Sequence, residues 1–330
     1  MSVVKYSVIV PAYNAGKTIG DCLGALTRQS LVPAVYEIIV VDDGSKDGTA
    51  EVVKTFSVRY LRQANRGPAT ARNHGAREAR GEIILFTDSD CVPSADWIAE
   101  MTKPFGDPDV VAVKGAYRTN QRSLTARFAQ VEFEERFELL KRAASIDMVD
   151  TYSAAYRSDV FRQAGGFDES FPVANNEDTE LSYKLSRMGR KMVFNPNAVV
   201  YHLNHPDSLR RYARLKFWRG YWRMVVYRRY PDKMMKDSYT PQTLKLQILF
   251  LFLAVGWLPA MLLWPEGIIY PMAATFFLYG LSMAPFALLA IRRDPVVGML
   301  SPFFLSVRAA ALGLGSLWGV LRQAQGRTVQ

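Results

Sequence analysis

Asp88 and Asp90 stand one residue apart, directly after the apolar, β-branched run Glu82-Ile-Ile-Leu-Phe-Thr87. Two carboxylates at that spacing on a loop can share a hard divalent cation through oxygen ligands. Magnesium or manganese held there can grip a diphosphate and neutralise it as it leaves. Asp-Ser-Asp is also ordinary turn chemistry. A second acidic pair, Asp42-Asp43, follows Glu37-Ile-Ile-Val-Val41. A carboxylate there can accept hydrogen bonds from a base or a ribose, or simply close a turn with Gly44 and Ser45. Glu177-Asp178 precedes a segment of helical composition, where the helix dipole favours acids at the first turn. His202 and His205 follow a strand-like run from Lys191 to Tyr201, and either can line a loop. His74 reads as a solvent-facing helix residue.

The elements that must position these residues alternate. Tyr6-Ser-Val-Ile-Val10, Glu37–Val41 and Glu82–Thr87 are short apolar runs of the kind found in sheets buried on both faces, and each leads into a polar loop. Segments with helical spacing lie between them, at Thr18–Gln29, Thr49–Thr55 and Ala69–Ala79. Strand, loop and helix repeated in this way predict an α/β fold with a mostly parallel sheet and crossover helices. Ligands bind at the carboxyl ends of strands in such sheets, which is where Pro11-Ala-Tyr-Asn14, Asp42–Ser45 and Asp88–Asp90 fall.

The chain has 330 residues, 49% of them hydrophobic and 22% charged, so it can bury a full core and is neither disordered nor collagenous. Two cysteines, Cys22 and Cys91, make no disulfide framework and no paired-cysteine zinc motif. The first ten residues lack the features of a secretory signal, which predicts a cytosolic N-terminal part. The net charge of +10 is concentrated between Pro206 and Lys245, where eleven Lys or Arg meet three Asp. A basic block just before apolar runs points to anionic lipid headgroups rather than to nucleic acid.

Leu246–Trp264 is nineteen residues without a charge and Gly267–Ile291 is twenty-five more. At about 1.5 Å per residue each is long enough to cross roughly 30 Å of hydrocarbon. A third stretch, Val296–Leu321, is broken by Arg308 and rich in glycine (Gly313, Gly315, Gly319), a pattern open to spanning, re-entering or lying against the first pair, and we read it as a third span. Lys236, Lys245, Arg292 and Arg293 flank one side and Glu266 the other, so the positive-inside rule puts the N-terminal part in the cytoplasm. Arg322 and Arg327 argue against an outside C-terminus. Ahead of the spans, Leu215, Trp218, Trp222 and Val225 share one side of a predicted helix over Leu209–Tyr230, with Arg210, Arg211, Arg214 and Arg228 largely off it. That pattern predicts a helix lying in the membrane interface, with packing on the soluble part as the alternative.

From about Tyr6 to His205 the chain resembles the family 2 glycosyltransferases of the GT-A fold, including their membrane-attached bacterial members. The resemblance rests on Ser7-Val-Ile-Val-Pro-Ala-Tyr-Asn14, Val40-Val-Asp-Asp-Gly-Ser-Lys-Asp-Gly-Thr49, Asn65-Arg-Gly-Pro-Ala-Thr-Ala-Arg-Asn-His-Gly75, Asp88-Ser-Asp90, Tyr156–Asp168 and Glu177-Asp178, in the family's order. It implies a Rossmann-like GT-A catalytic domain over residues 1–205, a basic interfacial segment over 206–245 and a transmembrane region over 246–330. It further implies that Pro11, Tyr13, Asn14, Asp43, Arg72 and Asp88 contact a nucleotide-sugar donor. Asp88, Asp90 and His202 would hold the divalent cation, magnesium or manganese, with His205 as the competing histidine. Asp178 would be the general base, with Glu177 beside it.

Two departures from the family pattern, Ser153 for a common Asn and Asn176 for a common Gly, suggest altered contacts to the acceptor. The implied activity is inverting sugar transfer to a hydroxyl or phosphate of a lipid-linked or glycan acceptor at the cytoplasmic membrane, in envelope or exopolysaccharide synthesis. The alternatives are a processive polysaccharide synthase, which Phe217-Trp-Arg-Gly220 only partly supports, and an inactive membrane-anchored nucleotide-binding scaffold. A dinucleotide-binding dehydrogenase is disfavoured, because Pro11–Gly16 lacks the glycine fingerprint.

Overall fold

A computed structural model describes residues 4–171 and 176–325; Arg327 lies outside the described residues. The chain divides into two compact units, Met1–Asn120 with Leu140–His205, and Gln121–Leu139 with Pro206 onward. The first unit begins β1 (Tyr6–Ala12), α1 (Ile19–Leu26), β2 (Tyr36–Asp42), α2 (Thr49–Val53), β3 (Arg59–Arg62), α3 (Pro68–Glu78). It continues with β4 (Ile83–Phe86), β5 (Cys91–Pro93), α4 (Trp97–Thr102) and β6 (Val110–Arg118). After α5 (Leu124–Leu140), which belongs to the second unit, the chain returns as β7 (Ala154–Arg157), α6 (Ser158–Gln163), α7 (Glu177–Arg187) and β8 (Lys191–His202).

The described strands form one sheet in the order β3-β2-β1-β4-β7-β6-β8-β5. Its first four strands are parallel, as the apolar runs predict: Val8, Ile9, Val10, Ile39, Val40 and Val41 are fully buried, the signature of strands covered on both faces. Their carboxyl ends therefore meet at one edge. Beyond β4 the sheet departs from the expected parallel order, since β7 is antiparallel to both β4 and β6, and β5 is antiparallel to β8. Only Thr87–Asp90 separates β4 from β5, too short for the crossover of a dozen or so residues that a parallel neighbour needs. The chain between β6 and β7 leaves for the other unit, so the handedness of a simple crossover does not set the direction of β7.

α3 lies on β1 and β2 through small residues, and a Cβ on Gly75 would run into Ile9. This close seat fixes Arg72, one turn earlier. α7 places Glu177, Asp178 and Glu180 in its first turn and Lys184 and Arg187 in its last, the order the helix dipole favours.

The second unit is helical: α5, α8 (Leu209–Arg229), α9 (Pro231–Met235), α10 (Gln242–Leu263), α11 (Pro265–Arg293) and α12 (Pro295–Ala324). Stretches Gln242–Met261, Glu266–Arg293 and Pro295–Ala324 are long and apolar enough to cross a membrane. α11 and α12 each start with proline at the first helical position, where its fixed φ suits a helix and no N–H is needed. Asp294 caps α12 by accepting from the Val297 N–H at 3.2 Å, and Arg127 of α5 grips the same carboxylate with two bonds of 2.7 Å. Phe128, Tyr212, Phe286, Phe304 and Leu305 make the core between these helices.

Arg308, the charge that interrupts the third apolar stretch, is 1% exposed and points inward. It donates to Glu132 of α5 at 3.1 Å and to Gln247 of α10 at 2.7 Å, while Lys216 and Tyr212 of α8 bond the same glutamate at 3.0 and 2.8 Å. Burial works against the Glu132 charge, but Lys216, Arg308 and Arg136 outweigh it and hold the carboxyl well below the usual range. A charge inside an apolar helix is tolerable when paired in this way.

α8 buries one face inside this unit. The buried residues are Tyr212, Lys216, Gly220, Tyr221, Trp222, Val226 and Tyr227, while Leu215, Trp218 and Val225 are half-buried. Beside these bulky side chains the face includes points of close backbone approach. A Cβ on Gly220 would strike the carbonyl of Leu312, and one on Gly315 the carbonyl of Phe217. Arg210, Arg211, Arg214 and Arg228 are exposed, as the pattern predicts. Gly315→Leu should therefore force α8 and α12 apart and cost about 1–3 kcal/mol. The check is a lower thermal midpoint in detergent, against Gly256→Leu, which adds a side chain where nothing lies within 4 Å.

Candidate active site

The loops after β1 and β2 are laced together. The Asn14 N–H donates to Ser45 Oγ at 2.9 Å, and Asn14 Oδ1 accepts from the Lys46 N–H at 2.9 Å. The Ala15 N–H bonds Thr49 Oγ1 at 2.8 Å. Asn14 adopts φ of 49°, a left-handed conformation that Asn tolerates. Tyr13 is 49% exposed at the rim. Pro11, expected to touch the donor, is a buried residue of β1 paired in register with Val41.

Asp42 is fully buried and turned into the fold, accepting from Tyr60 Oη at 2.6 Å and the Ser45 N–H at 2.8 Å. Asp43 accepts from Gln63 Nε2, the Arg66 N–H and the Gly67 N–H at 2.8, 2.9 and 2.8 Å. It thus ties the second loop to the segment that opens α3. His74, expected to face solvent, is half-buried and bonded through Nδ1 to Gln63 Oε1 at 2.9 Å.

Arg72 is 3% exposed and joins two motifs far apart in the chain. Its Nη2 donates to Asp88 Oδ1 at 2.7 Å and its Nη1 to Glu177 Oε1 at 2.8 Å. Burial and the neighbouring Asp178 charge push the Glu177 carboxyl up to about 7, against the opposing pull of Arg72. Asp178 is half-buried, and its Oδ1 accepts from the Thr179 N–H at 2.7 Å. Its charge acts on Arg72 and on the buried Tyr156 hydroxyl, whose ionisation burial already opposes. Asn176, ahead of the pair, has φ of 65°. Glycine is the default at such a φ and Asn a side-chain-bearing residue that tolerates it. Ser153 is fully buried and accepts from Trp97 Nε1 at 2.8 Å.

Asp90, Cys91 and His202 form the one cluster among the described residues whose ligand atoms all lie within 4.8 Å of one another. His202 Nε2 is 3.5 Å from Asp90 Oδ1, and Asn204 Nδ2 donates to Asp90 Oδ2 at 3.2 Å. Carboxylate and imidazole are the donor types a divalent cation takes, so Asp90 and His202 fit one. Asp88 is not in this cluster; Arg72 engages it. His205, the competing histidine, is buried, bonded through Nδ1 to Tyr117 Oη at 2.8 Å, and not in this cluster. Cys91 was not singled out from sequence, although its place directly after Asp90 was the available signal. Burial and the charges of Asp88 and Asp90 push its thiol well up.

Residues 7–165 match the family model described as glycosyl transferase family 2. The chain is 26% identical over 206 residues to glycosyltransferase AglE of Haloferax volcanii, covering 61% of this chain and 67% of that one. It is 26% identical over 241 residues to chondroitin synthase of Escherichia coli, covering 61% of this chain and 35% of the other. The matched segments thus span from about a third to two thirds of these relatives' length. Among solved structures, the mannosyltransferase PcManGT of Pyrobaculum calidifontis, in complex with GDP-Man and Mn2+, aligns with a TM-score of 0.64 over 96% of this chain and 87% of its own, at 21% identity. That likeness establishes a shared fold.

Proposed function

Residues 7–165 belong to glycosyltransferase family 2, the chain is a glycosyltransferase that uses a nucleotide-sugar donor, and from that premise we propose cation-dependent, inverting transfer to a lipid-linked acceptor. The observation that carries the reading is the Arg72 bridge. One guanidinium holds Asp88, on the donor loop after β4, and Glu177, next to the only half-buried acid of the α7 first turn. Asp178 accepts the proton of the acceptor hydroxyl as that oxygen attacks the anomeric carbon from the face opposite the leaving diphosphate. No covalent nucleophile is needed. A divalent cation, manganese or magnesium, held by Asp90 and His202 with Asp88 alongside, supplies positive charge where the leaving diphosphate gains negative charge. Asp43, Tyr13 and Asn14 line the nucleotide end.

Three membrane-length helices and the exposed arginines of α8 support attachment to the cytoplasmic leaflet of the inner membrane, with the catalytic unit on the cytoplasmic side. A tethered enzyme meets lipid-linked acceptors by lateral diffusion, which favours a polyprenyl phosphate or glycolipid over a soluble sugar.

The test is a panel of radiolabelled nucleotide sugars offered to the membrane-reconstituted protein, followed by organic extraction. Cation-dependent label in the organic phase is expected. Label recovered solely in water-soluble product would remove the lipid acceptor. Asp90→Ala should abolish both turnover and its response to added manganese, whereas residual manganese-stimulated turnover would take Asp90 out of the cation site.

A further inference from the structure

We propose that His74 is a positioning residue for the donor nucleotide: acting through Gln63, it fixes the orientation in which Asp43 presents its carboxylate. The inference rests on the reading above that Asp43 lines the nucleotide end, and it assigns a role to two side chains which that reading leaves out.

The direction of the hydrogen bonds is forced by chemistry. An ionised carboxylate only accepts, so the Gln63 amide turns Nε2 towards Asp43 and donates to its Oδ1 at 2.8 Å. Gln63 Oε1 then points the other way and calls for a donor. His74 Nδ1 lies 2.9 Å from it, which places a proton on that ring nitrogen. Both ends of this relay stand on fixed backbone. The Gln63 N–H donates to the Asp42 carbonyl at 2.9 Å, and His74 adjoins Gly75, where α3 is seated so closely on Ile9 and Val41 that a Cβ would clash.

The Gln63 amide is the loose member, because the terminal torsion of a glutamine is broad and the residue is half-buried. His74 anchors its far end. Without that anchor Asp43 keeps the Arg66 and Gly67 N–H donors, so the loop stays tied to the start of α3, but the side-chain donor that sets the tilt of the carboxylate can swing out to water. A loss of nucleotide affinity without a loss of fold follows.

The purified full chain in detergent is titrated calorimetrically with UDP, GDP, dTDP and ADP in the presence of manganese, and turnover is followed with labelled nucleotide sugar. For whichever nucleotide the wild type binds, His74→Ala should weaken affinity about 2- to 12-fold, the worth of one neutral hydrogen bond. The KM for the sugar nucleotide should rise by the same factor with kcat unchanged, since the interaction serves ground state and transition state alike. His74→Asn, whose amide nitrogen can stand near the place of Nδ1, should restore affinity. Gln63→Leu should lose as much as His74→Ala, and the double variant no more than either, because both cut one relay. Losses that multiply in the double variant, or wild-type affinity in His74→Ala, overturn the proposal. His74→Phe keeps the ring without the donor and is read in the same way if alanine does not fold. Asp43→Asn separates the two readings: weakened binding there beside wild-type binding in the His74 variants sinks the relay alone, while unchanged binding in Asp43→Asn sinks the nucleotide-end reading and the relay with it.

Discussion

Asp178→Asn is expected to bind the donor nucleotide sugar as wild type does and to turn it over about 10²- to 10⁴-fold more slowly, the usual worth of a positioned general base. The amide is the same size as the carboxylate, and its oxygen can still accept the Thr179 N–H that Asp178 Oδ1 holds at 2.7 Å, so the first turn of α7 keeps its geometry. What is lost is the capacity to take a proton. Glu177 cannot substitute: it is 2% exposed and its Oε1 is committed to Arg72. Donor affinity by calorimetry and turnover with labelled sugar, measured on the same preparation, make the check. Wild-type-like turnover would strip Asp178 of the role, and a parallel loss of donor affinity would move it to donor binding.

The parallel half of the sheet was legible because its strands are buried on both faces and spell this out as unbroken apolar runs, Val8–Val10 and Ile38–Val41. The other half was not. β5 is three residues long and β7 four, below any periodicity, and their antiparallel pairing depends on where the chain goes between them. α5 lies in sequence within the catalytic stretch yet folds with the C-terminal helices; nothing local marks that, because its partners Asp294 and Arg308 come more than 160 residues later. The acidic motifs were found by type and order. Their joining was not found, since Arg72 and Glu177 are 105 residues apart and a buried guanidinium looks in sequence like any helix arginine. The glycines of α12 name no partner in sequence; in three dimensions Gly315 is where two backbones touch.

Removing the bridge itself should have the largest effect on the folded state. Arg72→Met leaves two carboxylates, Asp88 and Glu177, facing each other without the cation between them, and breaking a buried pair from one side costs about 3–5 kcal/mol. The loss should depend on pH, with a sign fixed by Glu177. Its carboxyl is ordinarily near 4.5 and is pushed up to about 7 in the folded chain, so its protonated form is the comfortable one. Stability linked to this group is intact below about 4.5 and drains away as pH rises towards 7. Without Arg72 the opposing pull disappears, the folded-state value rises further, and the gap between variant and wild type should widen as pH rises. Chemical denaturation at pH 5 and pH 8 reads this directly. Arg72→Met with Glu177→Gln removes one of the two stranded charges and should recover much of the stability without recovering turnover, a coupling that independent sites would not show. Arg72→Lys separates charge from shape: an ammonium is a point charge and cannot hold two carboxylates with a planar fork. It should fold better than Arg72→Met while turnover stays low, and equal turnover in Arg72→Lys and wild type would mean that the bridge sets stability alone.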